Sequence, residues 1–105
     1  KGGKGEAVLY KNASIEMLRR QSDKALSDPK NLFSIFISDE GDKLSYIVTS
    51  KLKDASAKTL IGMVNDKFEG RGGGREDFAQ GGSQVLNDLS DRFASLAEEL
   101  KKIFK

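Results

Sequence analysis

Cysteine and histidine are both absent from the 105 residues, and these two gaps exclude more than any residue present. Without cysteine there is no disulfide framework, no thiolate nucleophile and no cysteine-based zinc site. Without histidine the usual general base and the commonest metal ligand are missing. No catalytic residue, cofactor or metal site is expected. Long apolar runs are lacking too. Nothing approaches the roughly 20 residues needed to span a bilayer, and no apolar h-region marks a signal peptide. A soluble intracellular protein is expected, cytoplasmic unless its home is an organelle. A strong excess of one charge is also missing: 18 Lys and Arg face 16 Asp and Glu, for a net +2. Any binding to nucleic acid must therefore rest on where the charges sit, not on their balance.

The length is that of one domain. Apolar residues make up 37% and charged residues 32%, which implies a modest core under a heavily ionic surface. The chain begins at Lys1 and opens with the polar run KGGKGE, read here as a linker remnant over residues 1–6 at the edge of a longer protein. Residues 7–105 are then one folded unit.

Ala7–Tyr10 is apolar and long enough for a strand. Asn12 or Ser14 can cap the helix that follows, on which Ile15, Leu18, Ser22 and Ala25/Leu26 form a thin stripe. Asp28-Pro29 ends it, since the residue before proline avoids the α region. Leu32–Ser38 and Lys43–Ser50 are rich in β-branched and aromatic residues. The acidic, glycine-containing connector Asp39–Asp42 makes them a hairpin. The first of the two is apolar almost throughout, as expected of a strand covered on both faces. Asp54 can cap a second helix carrying Ala57, Leu60/Ile61, Val64 and Phe68, ended by the glycines from 70 onward. Asp77–Gly82 reads as extended. Ser83 can cap a last helix with Leu86, Leu89, Phe93, Leu96, Leu100 and Ile103 as a seam, and Lys101, Lys102 and Lys105 at its C-terminal end. The predicted order is β-α-β-β-α-β-α: a small α/β domain with helices packed on a mainly antiparallel sheet.

The segment Glu69–Gly82, EGRGGGREDFAQGG, holds six of the eleven glycines. Glycine lets another backbone or a phosphate approach closely, and Arg71 and Arg75 flank the triple Gly72-Gly73-Gly74. A P-loop is excluded because Gly74 is followed by Arg75-Glu76-Asp77 rather than Lys-Ser/Thr. A dinucleotide fingerprint is excluded because the glycines follow a helix rather than open one. The spacing of acidic residues does not fit an EF-hand. A helix C-cap with a surface loop and a phosphate- or RNA-contacting loop remain as equal readings.

The run Gly72-Gly73-Gly74-Arg75-x-Asp77-x-Ala79-Gln80-x-Gly82 resembles the signature near the C-terminus of alanyl-tRNA synthetases, the C-Ala domain of DHH-associated type. The resemblance covers roughly residues 7–105, through the same order of strand, helix, hairpin, helix and final helix. Several positions depart from that pattern. Glu69 stands where the family often has Gly, Arg71 where it often has Lys, Glu76 for Pro, Phe78 for Met and Gly81 for Ala. Losing the proline is expected to loosen the loop and weaken its RNA contacts. The resemblance implies a non-catalytic domain that follows the editing domain and binds the outer corner of tRNA(Ala). In that role it helps the aminoacylation and editing centres share one tRNA. It also implies partnership with the rest of the synthetase and, in some members, a homodimer, here through the C-terminal helix.

The nucleic-acid-binding candidates are Arg71, Gly72, Gly73, Gly74, Arg75 and Gln80, with Lys53 and Lys67 extending the basic surface. Lys53 lies about 24 Å from Arg71, across a helix rising 1.5 Å per residue. Asp77 is expected to hold the loop, since an acid near phosphate is repelled. Tyr46 is expected in the core, whereas Phe78 could stack on a base. The alternatives are the same domain on a free-standing alanyl-tRNA deacylase, the accessory domain of a DHH phosphodiesterase, and a dimerisation module. The phosphodiesterase group typically carries Gly-Gly-His near this position, and this chain has no His.

Overall fold

The computed structural model describes residues 4–52, 54–84 and 87–103. The elements run β1 (Lys4–Lys11), α1 (Ile15–Ser27), β2 (Asn31–Asp39), β3 (Leu44–Ser50), α2 (Ala57–Phe68), β4 (Arg71–Gly74), β5 (Phe78–Ser83) and α3 (Leu89–Ile103). One five-stranded sheet has the order β1-β2-β3-β5-β4. β1 and β2 are parallel, as the intervening α1 crossover requires, and the other pairs are antiparallel. The small α/β fold with a mainly antiparallel sheet is thus as expected. β1 starts at Lys4, inside the segment expected to be linker.

Alternation along the strands divides the core in two. Ile35, Ile37, Tyr46, Val48 and Ala79 point to one face. There they meet Leu60, Ile61, Val64 and Phe68 of α2 and Leu96 and Leu100 of α3. On the opposite face Phe36 and Ile47 meet Ala13, Leu18 and Ala25, so α1 covers that side, over β2 and β3. β2 is therefore buried on both faces, which explains its nearly unbroken apolar run. The hydroxyls of this second layer pair internally. Ser34 and Thr49 are 2.5 Å apart. Ser38 accepts from the Ala13 amide at 2.9 Å and donates to its carbonyl at 2.7 Å, fixing the entry to α1.

Three boundaries differ from expectation. The glycines after α2 form a strand, β4, because they pair antiparallel with residues 79–82 of β5. Ser56 caps α2 instead of Asp54, accepting from the Thr59 amide at 3.3 Å. Ser83 closes β5 opposite Leu44, and α3 opens at Leu89, with the Arg92 amide donating to the Asp88 carbonyl at 3.0 Å. Along α3, Leu96 and Leu100 are buried, and Leu89 and Phe93 pack partly buried on the same core. The described part of the seam thus faces this chain's own sheet. Leu86, Lys105 and the side chain of Ile103 lie outside the described residues.

Candidate nucleic-acid interface

α2 ends at Glu69, which takes the left-handed conformation (φ 55°) while the Gly70 amide donates to the Asn65 carbonyl at 2.9 Å. That geometry favours glycine, so the residue type expected at 69 from the resemblance has a backbone reason. Arg92 of α3 holds the turn from outside. It donates to the Lys67 carbonyl at 2.7 Å, to the Asp88 carboxylate at 2.8 Å and to Glu69 at 3.1 Å. The hydrogen bond from Arg92 lowers the Asp88 carboxyl below its ordinary value.

β4 lies against β5 with almost no side chains between them. A Cβ on Gly72 would come 2.5 Å from the Gln80 carbonyl oxygen, and one on Gly81 would come 2.6 Å from that of Arg71 and 2.8 Å from the Tyr46 ring. These positions are small because the two strands and the tyrosine leave no room. Tyr46 is fully buried, as expected, and its hydroxyl donates to Asn65, whose amide in turn donates to the Gly72 carbonyl at 3.3 Å. Burial pushes the Tyr46 phenol up to about 12. Gly73 behaves differently: a Cβ there would meet nothing within 4 Å.

Strand register decides which candidates meet. Arg71 lies opposite Gly82, and Gly73 opposite Gln80; Gly82 and Gln80 in turn lie opposite Ser45 and Ile47 of β3. Ile47 belongs to the α1-side core, so Arg71, Gly73 and Gln80 share the α1 face at the end of the sheet that α1 leaves uncovered. Gly72 and Gly74 face the other way. Arg71 is exposed, and among the described residues no carboxylate stands within ion-pair distance of it. Arg75 sits at the β4–β5 turn, 3.5 Å from Asp77 and 6.0 Å from the centre of the Phe78 ring. Asp77 therefore partly neutralises this arginine.

Backbone hydrogen bonds anchor the β4–β5 turn, where Glu76 stands in place of the proline of the resembled pattern. The Glu76 carbonyl accepts from the Ala57 amide at 2.7 Å and the Asp77 carbonyl from Ser50 at 3.1 Å, so α2 and β3 both hold it. Lys67 lies apart from the others, on the α2–α3 side, bonded to Glu99 and, at 2.8 Å, to Ser95. Lys53 lies outside the described residues. The Lys51 ammonium donates to the Asp28 carbonyl at 2.6 Å.

Sequence reading missed Arg19 as a site residue. It projects from α1, and its Nη2 donates to Oε1 of Gln80 at 3.2 Å. Their separation of 61 positions gives no periodic signal that would pair them. The arrangement is a shallow cationic face: Arg19 on one side, Arg71 on the other, and Gln80 with bare backbone between. It suits a phosphate-bearing ligand lying flat on strands.

Comparisons with known proteins bear on the family and the fold. The DHHA1 domain family matches residues 5–105. The alanine–tRNA ligase of Leptospira interrogans is 30% identical over 105 residues, covering 96% of this chain and 11% of that protein. That of Acholeplasma laidlawii is 42% identical over 67 residues, 64% of this chain and 7% of that protein. The crystal structure of the C-Ala domain from Aquifex aeolicus alanyl-tRNA synthetase superposes with a TM-score of 0.73 at 25% identity, over 93% of each chain. The resemblance read from residues 72–82 is thus borne out, while the chain spans only a small fraction of the ligases it matches.

Proposed function

The chain belongs to the DHHA1 domain family, and from that premise we propose that it is the tRNA-binding C-terminal domain of an alanyl-tRNA synthetase. On this reading it contributes binding and no catalysis of its own. It contacts the outer corner of tRNA(Ala) in the cytoplasm and helps the aminoacylation and editing centres of the parent ligase share one tRNA. The observation that carries the reading is the α1 face of β5–β4. There Arg71 stands exposed and unpaired among the described residues, beside the Arg19–Gln80 pair and the bare backbone at Gly73. Free guanidinium groups over exposed backbone are what a sugar-phosphate chain recognises.

The parent as ligase is favoured over a free-standing deacylase because the relatives are ligases. The homodimer through α3 has less support, since Leu96 and Leu100 are buried in this chain's own core.

The test is a titration of the 105-residue chain with tRNA for alanine at low and moderate salt, with and without Arg71→Ala/Arg75→Ala. Binding that weakens with salt, and weakens roughly tenfold in the double variant, supports the reading. No binding at low salt overturns it.

A further inference from the structure

Within the proposed RNA-binding face, one contact has a polarity that phosphate binding does not explain. Arg19 Nη2 donates to Gln80 Oε1 at 3.2 Å, which fixes the orientation of the amide. The oxygen is engaged by the guanidinium, so the end of Gln80 left for a ligand is the Nε2 donor. Arg19 keeps its remaining N–H groups, since no carboxylate stands within ion-pair distance of it among the described residues. The pair therefore presents donors side by side.

A neutral amide adds little to holding a phosphate, but it discriminates between base edges. Guanine shows two adjacent acceptors, N7 and O6, on its Hoogsteen edge. Adenine shows one acceptor beside a donor, cytosine a donor, and uracil one acceptor. Two adjacent donors match guanine and clash with the amino groups of adenine and cytosine. The surface beside the pair is open: Gly73 lies opposite Gln80, and a Cβ there would meet nothing within 4 Å. A flat base can lie on that strand without displacing a side chain. Paired A-form RNA hides the Hoogsteen edge in a deep, narrow groove, so the base must be one that a loop or corner leaves exposed.

We infer that Arg19 and Gln80 read the Hoogsteen edge of an exposed guanine lying over Gly73. The inference rests on the RNA-binding role proposed above and adds base selectivity to it.

The experiment titrates the 105-residue chain at low salt with hairpin RNAs that share one stem. Their loops carry guanine, inosine, 7-deazaguanine or adenine. Guanine and inosine loops, which both keep N7 and O6, should bind equally and about tenfold more tightly than the other two. Gln80→Glu, which keeps a partner for Arg19 but replaces the outward donor with an acceptor, should abolish that preference and leave weaker, salt-dependent binding. Gly73→Leu should weaken the guanine loop without lowering the melting temperature. If all four loops bind alike, or if Gln80→Glu keeps the preference, base reading is overturned while RNA binding stands. If no loop binds at low salt, the RNA-binding role and the base reading fail together.

Discussion

The Arg92 guanidinium meets the Glu69 carboxylate at 3.1 Å, tying the first turn of α3 to the left-handed residue that ends α2 and aims β4. The same guanidinium holds the Lys67 carbonyl two residues earlier, so the path of the chain into the glycine-rich strand is fixed at two points.

Glu69 thus combines an unfavourable backbone conformation with a favourable ion pair. Glu69→Gly relieves the first and loses the second, whereas Glu69→Ala keeps the strain and loses the pair. The left-handed conformation costs a non-glycine residue about 1 kcal/mol, and a solvent-facing ion pair contributes less than a buried one. Urea unfolding should therefore rank the glycine variant at or above the parent, with the alanine variant lowest. Equal stability of the alanine and glycine variants would show that residue 69 does not adopt φ 55° in solution.

Tyr46 makes stability depend on alkaline pH. Its phenol is pushed up to about 12 by burial, above its ordinary value near 10. The folded state therefore holds the proton more tightly than the unfolded chain. Its contribution is fully present below pH 10 and is lost as pH rises from about 10 to 12. Tyr46→Phe should lose about 1–2 kcal/mol at neutral pH, because the Asn65 oxygen is left without its donor, and should show a flatter alkaline limb. A parent-like alkaline slope in the phenylalanine variant would assign that pH dependence to another group.

The two central glycines of β4 should respond oppositely to a methyl group. Gly72→Ala drives a Cβ to 2.5 Å from the Gln80 carbonyl oxygen and should cost about 1–3 kcal/mol as β4 shifts from β5. Gly73→Ala enters open space and restricts the unfolded chain, so it should be neutral or stabilise by up to about 1 kcal/mol. Thermal melts of both variants decide the point, and equal losses would mean that the strand pairing is not as described.

Most of the architecture was legible because it rests on local chemistry. The apolar run of β2, the acidic turn after it and Asp28-Pro29 each specify an element within a few residues. β4 was not legible, because a run of Arg-Gly-Gly-Gly has no strand propensity. It becomes a strand through the room that Tyr46 and β5 leave for backbone alone. The candidate site divides in the same way. Glycine and arginine content marked residues 71–75, but the sheet decides which face each one takes. The Arg19–Gln80 contact joins two elements whose proximity is a property of the sheet order, so no spacing rule could reach it.

Lys67 and Arg71 are four positions apart and carry the same charge, yet they should differ in RNA binding. Lys67 is held between Glu99 and Ser95 on the α2–α3 side, while Arg71 is exposed on the opposite face beside Gln80. Arg71→Ala should weaken tRNA binding about three- to tenfold and reduce the slope of log affinity against log salt by about one, the signature of one lost phosphate contact. Lys67→Ala should leave affinity and slope unchanged and lower the melting temperature slightly, since it removes a tie between α2 and α3. A uniform charge effect predicts equal losses from the two substitutions. A localised face predicts loss from Arg71 alone, so the pair of slopes measured on one tRNA separates the two.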